Sequence, residues 1–148
     1  MKTAILLSIG ILLPLYSING TIPTFIDNKT QLEWQITPSF NEYNQIAEMN
    51  WEDAIKQCEA LIINNQEDWR LPNINELESI VDRTKFQPSV KSPFNDSILS
   101  NKYWSSSSSR TGVFIWYMDL ETGVREGSQR YTSIKLKYTL CVRSNNEE

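Results

Sequence analysis

The chain has 148 residues, with 14 Lys and Arg against 18 Asp and Glu, no His and two Cys. Without His there is no Ser/His/Asp or Cys/His nucleophile and no His-ligated metal, and two Cys cannot supply a four-cysteine zinc site. The net charge of −4 argues against nucleic acid as a partner, because such a partner requires a basic patch. What remains is one aromatic-rich domain of ordinary size.

The first twenty residues predict a secretory signal peptide. A basic start at Lys2 precedes an apolar run over residues 4–16, and small and polar residues follow up to Gly20. A permanent membrane span needs roughly 20 apolar residues, which this run does not reach. The alternative is an N-terminal core helix, but a helix that is apolar all round needs cover on every side. We therefore expect residues 1–20 to be a signal peptide and residues 21–148 to be one domain, secreted, at the cell surface or in the periplasm, with no membrane span after cleavage.

Export would place both cysteines, Cys58 and Cys141, in an oxidising compartment. Two cysteines allow a single intramolecular pairing, and closing so long a loop would stabilise the fold by roughly 4 kcal/mol in the chain-entropy account. The alternative is a pair of free buried thiols. A redox site is disfavoured because the sequence has no C-x-x-C.

The first half of the exported region predicts a hairpin and a helix. Residues 25–35 predict the hairpin, because the turn-forming residues Asp27 and Asn28 precede an alternation of apolar and polar residues. Asn50 is a typical helix N-cap. Apolar residues at helical spacing then predict a helix over residues 51–63, with the first cysteine on its buried face.

A second helix and a long loop follow. Residues 69–72 (W-R-L-P) lead into a capping-box pattern, with Asn73 as the cap and Glu76 three residues later. We expect this helix to end near Arg83. Residues 85–102 contain two prolines and many polar residues, and they predict a long irregular loop. A loop of this length inside a compact domain is usually functional or mobile.

The last third of the chain predicts strands. A short strand begins at residues 103–104 and runs into the serines of residues 105–109. An apolar strand over residues 113–120 is expected to be buried on both faces, and a return strand starts at Val124. Strict alternation over residues 134–143 predicts a clean final strand, with Cys141 on the face opposite the Leu, Tyr and Val row. The fold class is therefore α+β, with two helices packed on an antiparallel sheet built mainly from the C-terminal half.

Six stretches, in a fixed order, resemble the motifs of one family. They are residues 27–34 (D-N-K-T-Q-L-E-W), the W-E-D-A start of the first helix with Cys58 and Leu61, residues 69–77 (W-R-L-P-N-I-N-E-L), 103–106 (Y-W-S-S), 116–119 (W-Y-M-D) and 141–143 (C-V-R). The family is the Lcl C-terminal domain family, a domain of unknown function named after a collagen-like adhesin. The resemblance covers residues 25–144, and Gln31 stands where the family motif has Gly.

The resemblance implies a C-type-lectin-like fold with a long irregular loop region. In such folds a cysteine of the first helix pairs with a cysteine of the last strand, so the resemblance implies a disulfide between Cys58 and Cys141. Our leading hypothesis is an exported bacterial binding or adhesion module, non-enzymatic and without a cofactor, that contacts glycans or host or envelope surfaces. The chain has no Gly-X-Y stalk, so trimerisation through such a stalk is not implied, and the oligomeric state is left open.

Candidate site residues have structural alternatives. The serine run at residues 105–109 with Arg110 offers adaptable hydrogen bonds and a charged anchor, and the alternative is a solvated loop. Arg70 could bind a carboxylate ligand, but an internal ion pair with Glu76 or Asp119 is favoured. The candidate ligand contacts are Tyr103, Ser106, Ser107, Arg110 and Asp96. The residues given a structural role are Trp69, Arg70, Leu71, Pro72 and Glu76. Trp69, Trp104 and Trp116 could stack on sugar rings, although core positions are favoured.

The sequence leaves three further alternatives for function. Asp96, Asp119 and Glu121 could supply oxygen ligands to calcium, but their spacing matches no known calcium loop, and we assign no metal ligand. A small hydrolase would need two converging carboxylates, and we assign no catalytic residue. A structural envelope subunit is the remaining alternative to a binding module. The expected partner is an extracellular or periplasmic glycan or protein.

Overall fold

The computed structural model describes residues 23–38, 47–130 and 135–145, and the predicted signal peptide lies outside them. The helices are α1 (Trp51–Glu59) and α2 (Ile74–Ser79), and the strands are β1 (Thr24–Asp27), β2 (Leu32–Gln35), β3 (Lys102–Ser108), β4 (Phe114–Asp119), β5 (Val124–Gln129) and β6 (Val142–Ser144). The predicted α+β class is confirmed. Among these residues, no helix is long and apolar enough to cross a membrane.

The first sheet joins the two ends of the described chain. Its strand order is β1-β2-β6, and both pairings are antiparallel. The predicted hairpin is confirmed, with Thr24 opposite Gln35 and Asp27 opposite Leu32. In the turn, the Asp27 carboxylate accepts two hydrogen bonds, and Gln31 has a φ of 56°, in the left-handed region. The third strand of this sheet is therefore the last strand of the domain, and not the strand that follows β2 in the sequence.

The second sheet, with the order β3-β4-β5, has an apolar core on each face. In β4, Trp116 and Met118 pack in the core that contains α2, whereas Ile115 and Tyr117 pack in the core that contains α1. The predicted burial of this strand on both faces is confirmed, apart from Val113 and Phe114 at its start, which are exposed. The two helices therefore cover opposite faces of one sheet.

Helix α1 starts where the sequence predicts and ends earlier. Asn50 caps its first turn, because the Asn50 side chain accepts a hydrogen bond from a backbone N–H of that turn. On its buried face, Cys58 forms a disulfide with Cys141, with a Cα–Cα distance of 5.4 Å, so the predicted disulfide is confirmed. The helix ends at Glu59 because the following chain turns back, and Ile63 forms a β-bridge.

Helix α2 begins at the predicted capping box. The Asn73 side chain accepts from the Glu76 N–H, and the Glu76 carboxylate accepts from the Asn73 N–H. The helix ends at Ser79, before the predicted end near Arg83. The reason is that Val81 already pairs with Val90 in a β-bridge, which requires extended chain.

The predicted loop over residues 85–102 is irregular, but much of it is packed. Val90 and Phe94 are fully buried, and Phe94 begins a short 3-10 helix, Phe94–Asp96. The Ser89 N–H donates to the carbonyl of Leu120 at 2.7 Å. Backbone pairing and core packing therefore fix a segment whose composition suggested a free surface.

The predicted continuous strand over residues 134–143 is wrong. Among its described residues, 135–143, only the end forms a strand, β6, while Lys137 and Tyr138 make isolated bridges with the chain before α1 and with β3. The predicted alternation of sides is observed, since Cys141 faces the α1 core and both its neighbours face the α2 core. Because the segment runs between two cores, polar residues such as Lys137 and Thr139 are buried instead of facing solvent.

Arg143 in β6 connects the first sheet to the chain between the two helices. Its guanidinium donates to Glu33 and to Asp68, both at 2.6 Å, and to Gln66 at 3.1 Å. The bond from Arg143 lowers the pKa of Asp68 below its ordinary value. The closing C-V-R motif thus has a structural role in this fold.

Candidate functional site

Tyr103 is a core residue and not a ligand contact. Its side chain is fully buried, and its hydroxyl donates to the carbonyl of Leu99 at 3.1 Å. Burial raises the pKa of Tyr103 above its ordinary value. The physical reason is its position in β3, where it faces the α2 core.

The serine run is partly structural and partly exposed. The Ser105 hydroxyl donates to the carbonyl of Trp116 at 2.7 Å, and the Ser107 hydroxyl accepts from the N–H of Ile74 at 3.0 Å. These bonds join β3 to its neighbour strand and to the start of α2. Ser106 is exposed, and its N–H donates to the carbonyl of Pro72 at 2.8 Å. Ser106 therefore remains available to a ligand.

Arg110 and Asp96 are both exposed, but they belong to different parts of the molecule. Arg110 lies in the turn after β3. Asp96 ends the 3-10 helix, beside Phe94, whose ring packs edge-on against Trp34 of the first sheet. The Asp96 carboxylate accepts a hydrogen bond from its neighbour Asn95. The structure therefore does not group Asp96 with the serine run.

The W-R-L-P motif is a buried segment held by an internal ion pair. Trp69, Leu71 and Pro72 are buried, and the Arg70 guanidinium donates two bonds to the Glu76 carboxylate, at 2.7 and 2.8 Å. Burial alone would raise the pKa of Glu76, but the bonds and charge of Arg70 and the N–H of Asn73 together hold the pKa below its ordinary value. The internal ion pair favoured for Arg70 is thus formed.

A small pocket lies between the start of α1 and the second sheet, and we call it the indole pocket. Trp51, Trp104 and Ile115 line its apolar side, Ser128 lines it from β5, and its cavity volume is about 30 Å³, which is room for about one water molecule. Both indole N–H groups donate to main-chain carbonyls at 2.8 Å. The rings are therefore held in place, and Trp104 is almost wholly buried.

Charged side chains of both signs lie at the indole pocket. The guanidinium of Arg130 stands 4.9 Å from the ring centre of Trp51, and its Nε is 3.6 Å from Oε1 of Glu52. Lys135 also lines the pocket. Because Glu52 and Arg130 are so close, their charges partly compensate each other.

The hydroxyl of Ser128 is buried without a partner. Ser128 is 2% exposed, and within the described residues its Oγ makes no hydrogen bond. A buried hydroxyl without a partner is unfavourable, and most such groups in proteins are satisfied by protein, water or ligand. The Ser128 hydroxyl is therefore an unsatisfied polar group inside the wall of the indole pocket.

The indole pocket adjoins the serine run. Ser108 of β3 pairs with Ile115 of β4, which pairs with Ser128 of β5, and the Trp51 indole donates to the carbonyl of Ser105. The turn that carries Arg110 lies at this same end of the sheet. The structure thus brings the exposed part of the predicted site next to a pocket.

Sequence reasoning missed Ser128, Arg130 and Lys137. Lys137 has its Nζ 4.0 Å from the ring centre of Trp104 and 4.4 Å from that of Tyr117, and burial lowers the pKa of Lys137 to about 8. The period-two pattern placed Lys137 on a polar face, so it gave no signal of burial. Ser128 lies in an ordinary polar strand, and nothing in its local sequence indicates a pocket.

A family model for the Lcl C-terminal domain matches residues 23–143. The chain belongs to the Lcl C-terminal domain family. The match includes both cysteines, both helices and all of β1 to β5, and it ends inside β6. The resemblance noted in the sequence motifs is therefore confirmed. No curated protein matches the chain. Within the part of the chain that the structure describes, no three Cys, Asp or Glu side chains gather in a way that would hold a metal ion.

Proposed function

We propose that this Lcl C-terminal domain is an exported bacterial binding or adhesion module, without enzymatic activity, that contacts glycans or host or envelope surfaces. Its main support is the family match over residues 23–143, since the family is named after an adhesin. The signal-like pattern of residues 1–20 supports export. The expected partner is an extracellular or periplasmic glycan or protein.

We also infer a C-type-lectin-like fold. Its supports are the disulfide from α1 to the chain just before β6 and the long irregular segment over residues 85–102. Both features occur in the order that such folds have. The inference concerns architecture alone, because fold does not determine ligand.

We assign the binding surface to the end of the second sheet that carries the indole pocket, Ser106 and Arg110. Ser106 and Arg110 are exposed there, and charged side chains line the small indole pocket at the same end of the sheet. This combination of pocket and exposed arginine is the observation that carries the assignment.

A glycan microarray, together with pull-down on isolated bacterial envelope, tests the function. We expect the wild-type domain to bind and Arg110→Ala to weaken binding roughly tenfold, as loss of a charge-assisted hydrogen bond would. Arg83→Ala is the matched control, because it removes the same charge from an exposed arginine on another part of the surface. Absence of binding by the wild type, or equal effects of the two variants, would contradict the assignment.

A further inference from the structure

We propose that β5 is the interface of a two-fold symmetric dimer, in which it pairs antiparallel with β5 of a second copy of the chain. Gly127 lies at the centre of the pairing, opposite Gly127 of the partner subunit, and the two β3-β4-β5 sheets form one continuous sheet. Four features carry this inference: an open strand edge, a glycine that the fold does not require, two aromatic rings that reach over it, and the charges of the strand. The dimer is separate from the binding function proposed above.

The outer edge of β5 carries main-chain groups without a partner. The carbonyl of Phe114 accepts a hydrogen bond from the chain just after β3, so alternate residues of β4 direct their main-chain groups to that side. The residues between them pair with Glu126 and Ser128, which are therefore bonded to β4. The N–H and C=O groups of Arg125 and Gly127 point the other way, and within the described ranges they make no hydrogen bond. Such a row of open groups is a template for pairing with another strand.

The two edges of the second sheet differ. The outer edge of β3 is bonded to other parts of the chain, because the Trp104 N–H donates to the carbonyl of Tyr138 and the Ser106 N–H to that of Pro72. In β5, by contrast, Gly127 is exposed. A second copy can therefore approach this sheet at β5, where the main chain is accessible, and not at β3.

The fold does not require a glycine at position 127. A Cβ there would lie 3.7 Å from ring atoms of Phe114 and Trp116, which is ordinary van der Waals contact, and the φ of Gly127 is not in the left-handed region. Glycine in the middle of a strand costs about 0.5–1 kcal/mol relative to alanine. A glycine in such a place often marks the close approach of another backbone. Pairing with a second β5 supplies that approach.

The rings of Phe114 and Trp116 reach over Gly127. Directly opposite residues of an antiparallel pair have Cβ positions about 4.5–5.5 Å apart. A two-fold axis perpendicular to the sheet places the rings of both copies on the same face. Because each pair of rings lies within contact of its own Gly127 position, the rings of the two copies meet above the two glycines. Phe114, which is 40% exposed in the single chain, is then covered.

The charges of β5 fit this register. With the axis at Gly127, Arg125 lies opposite the partner's Gln129, and Glu126 lies opposite the partner's Ser128, so no like charges are paired directly. An axis at Arg125 or at Glu126 would place two identical charges opposite each other, which is destabilising.

Sedimentation velocity of the full chain over a wide range of concentration tests the dimer. We expect a reversible monomer–dimer equilibrium with a Kd of roughly 10–100 µM, because one strand edge gives an interface at the small end of specific interfaces. Gly127→Lys should prevent dimerisation, since two lysines then face each other across the axis. The matched control is Ile62→Lys, which adds the same charge at an exposed residue after α1 and should dimerise as the wild type does. A monomeric wild type, larger oligomers, or equal dimerisation of the two variants would overturn the proposal.

Matched phenylalanine variants test the contact between the rings. Phe114→Ser should weaken dimerisation roughly tenfold, because the symmetry of the dimer removes the ring from both sides of the axis. Phe86→Ser removes an exposed ring from the irregular segment after α2 and should leave the Kd unchanged. Equal Kd values for Phe114→Ser and the wild type would overturn the packing of the rings across the axis.

Amide hydrogen exchange, followed by NMR at high and low protein concentration, locates the interface. We expect the amide hydrogens of Arg125 and Gly127 to be protected at high concentration and to lose protection on dilution. Those of Glu126 and Ser128 are bonded to β4 in the single chain and should stay protected at both concentrations. A dimer in which the Gly127 amide exchanges equally fast at both concentrations would have its interface elsewhere, and the proposal would be overturned.

Discussion

Lys137 is a buried ammonium group whose nearest partners are aromatic rings. It is 4% exposed, and its Nζ packs against the rings of Trp104 and Tyr117. Across the described ranges no carboxylate forms an ion pair with it. Ring faces attract a cation, but a cation–π contact recovers only part of the lost hydration. The charged form of Lys137 is therefore disfavoured in the folded chain.

This environment predicts an unusual pH dependence of stability. Burial first, then the charges of Lys135 and Lys102, lower the pKa of Lys137 from 10.5 to about 8, while Glu48 and Glu126 oppose the shift. Between these two pH values the unfolded chain binds more protons than the folded chain, so the unfolding free energy rises with pH. We expect a rise of about 1.5 kcal/mol between roughly pH 8 and 9.5, measured by urea unfolding.

Substitution identifies the group responsible. Lys137→Met should remove the rise, whereas Lys85→Met, at an exposed lysine, should retain it. The window stays below pH 10 because burial raises the pKa values of Tyr103 and Tyr117, so their ionisation destabilises the fold at higher pH. A flat or falling wild-type profile in the window would contradict the prediction.

Single residues were predictable where the cause is local. Asn50 and Asn73 were recognised as caps, because capping depends on a side chain and the N–H groups of the next turn. The burial of Tyr103, Lys137 and Ser128 was not predictable, because it depends on segments far away in sequence. The exposure of Arg110 follows from its turn, whereas its proximity to a pocket depends on strand register.

The β1–β2 turn is an element where the chain departs from its family. Gln31, at the position of a family glycine, has a φ of 56°, which costs a residue with a Cβ about 1 kcal/mol. Its carbonyl accepts from the N–H of Asn145, so the turn also holds the chain after β6. The Gln31 side chain compensates in part, because it donates to the carbonyl of Asn28 at 2.8 Å.

Paired substitutions isolate the backbone effect. Gln31→Gly and Gln31→Ala remove the same side-chain hydrogen bond, but only Ala keeps a Cβ. We expect the Gly variant to be more stable than the Ala variant by about 1 kcal/mol in urea unfolding, the reverse of the usual order in regular structure. Greater stability of the Ala variant would show that the turn adopts another conformation in solution.

Elements were predictable where they begin and less so where they end. The hairpin, the start of α1 and the capping box of α2 follow from local patterns. The early end of α2 and the break-up of the last strand do not, because both result from pairing with distant chain: Val81 with Val90, and Lys137 with Met49. Local periodicity does not contain these contacts.

At the scale of the molecule, one disulfide joins the two halves of the described chain. Cys58 and Cys141 are 83 residues apart and fully buried in the α1 core. A crosslink over so long a loop restricts the unfolded chain strongly. The packed interior also keeps solvent and thiol reagents away from both sulfur atoms while the domain is folded.

Removing this crosslink should be costly. We expect the double variant Cys58→Ala and Cys141→Ala to lose about 2–5 kcal/mol of unfolding free energy. The control is reductant, which should destabilise the wild type in thermal unfolding and leave the double variant unchanged. Two free thiols in the denatured, non-reduced wild type would show that the crosslink does not form in solution.

The arrangement of the first sheet has a mechanical consequence. Strands β1 and β6 flank β2 and run in the same direction, so tension applied to the two ends of the domain pulls them oppositely along their axes. Such a load is shear, and it strains the ladder hydrogen bonds together instead of opening them one by one. After the sheet has ruptured, the disulfide prevents the chain between Cys58 and Cys141 from extending. Only the segments outside these two cysteines then lengthen under tension.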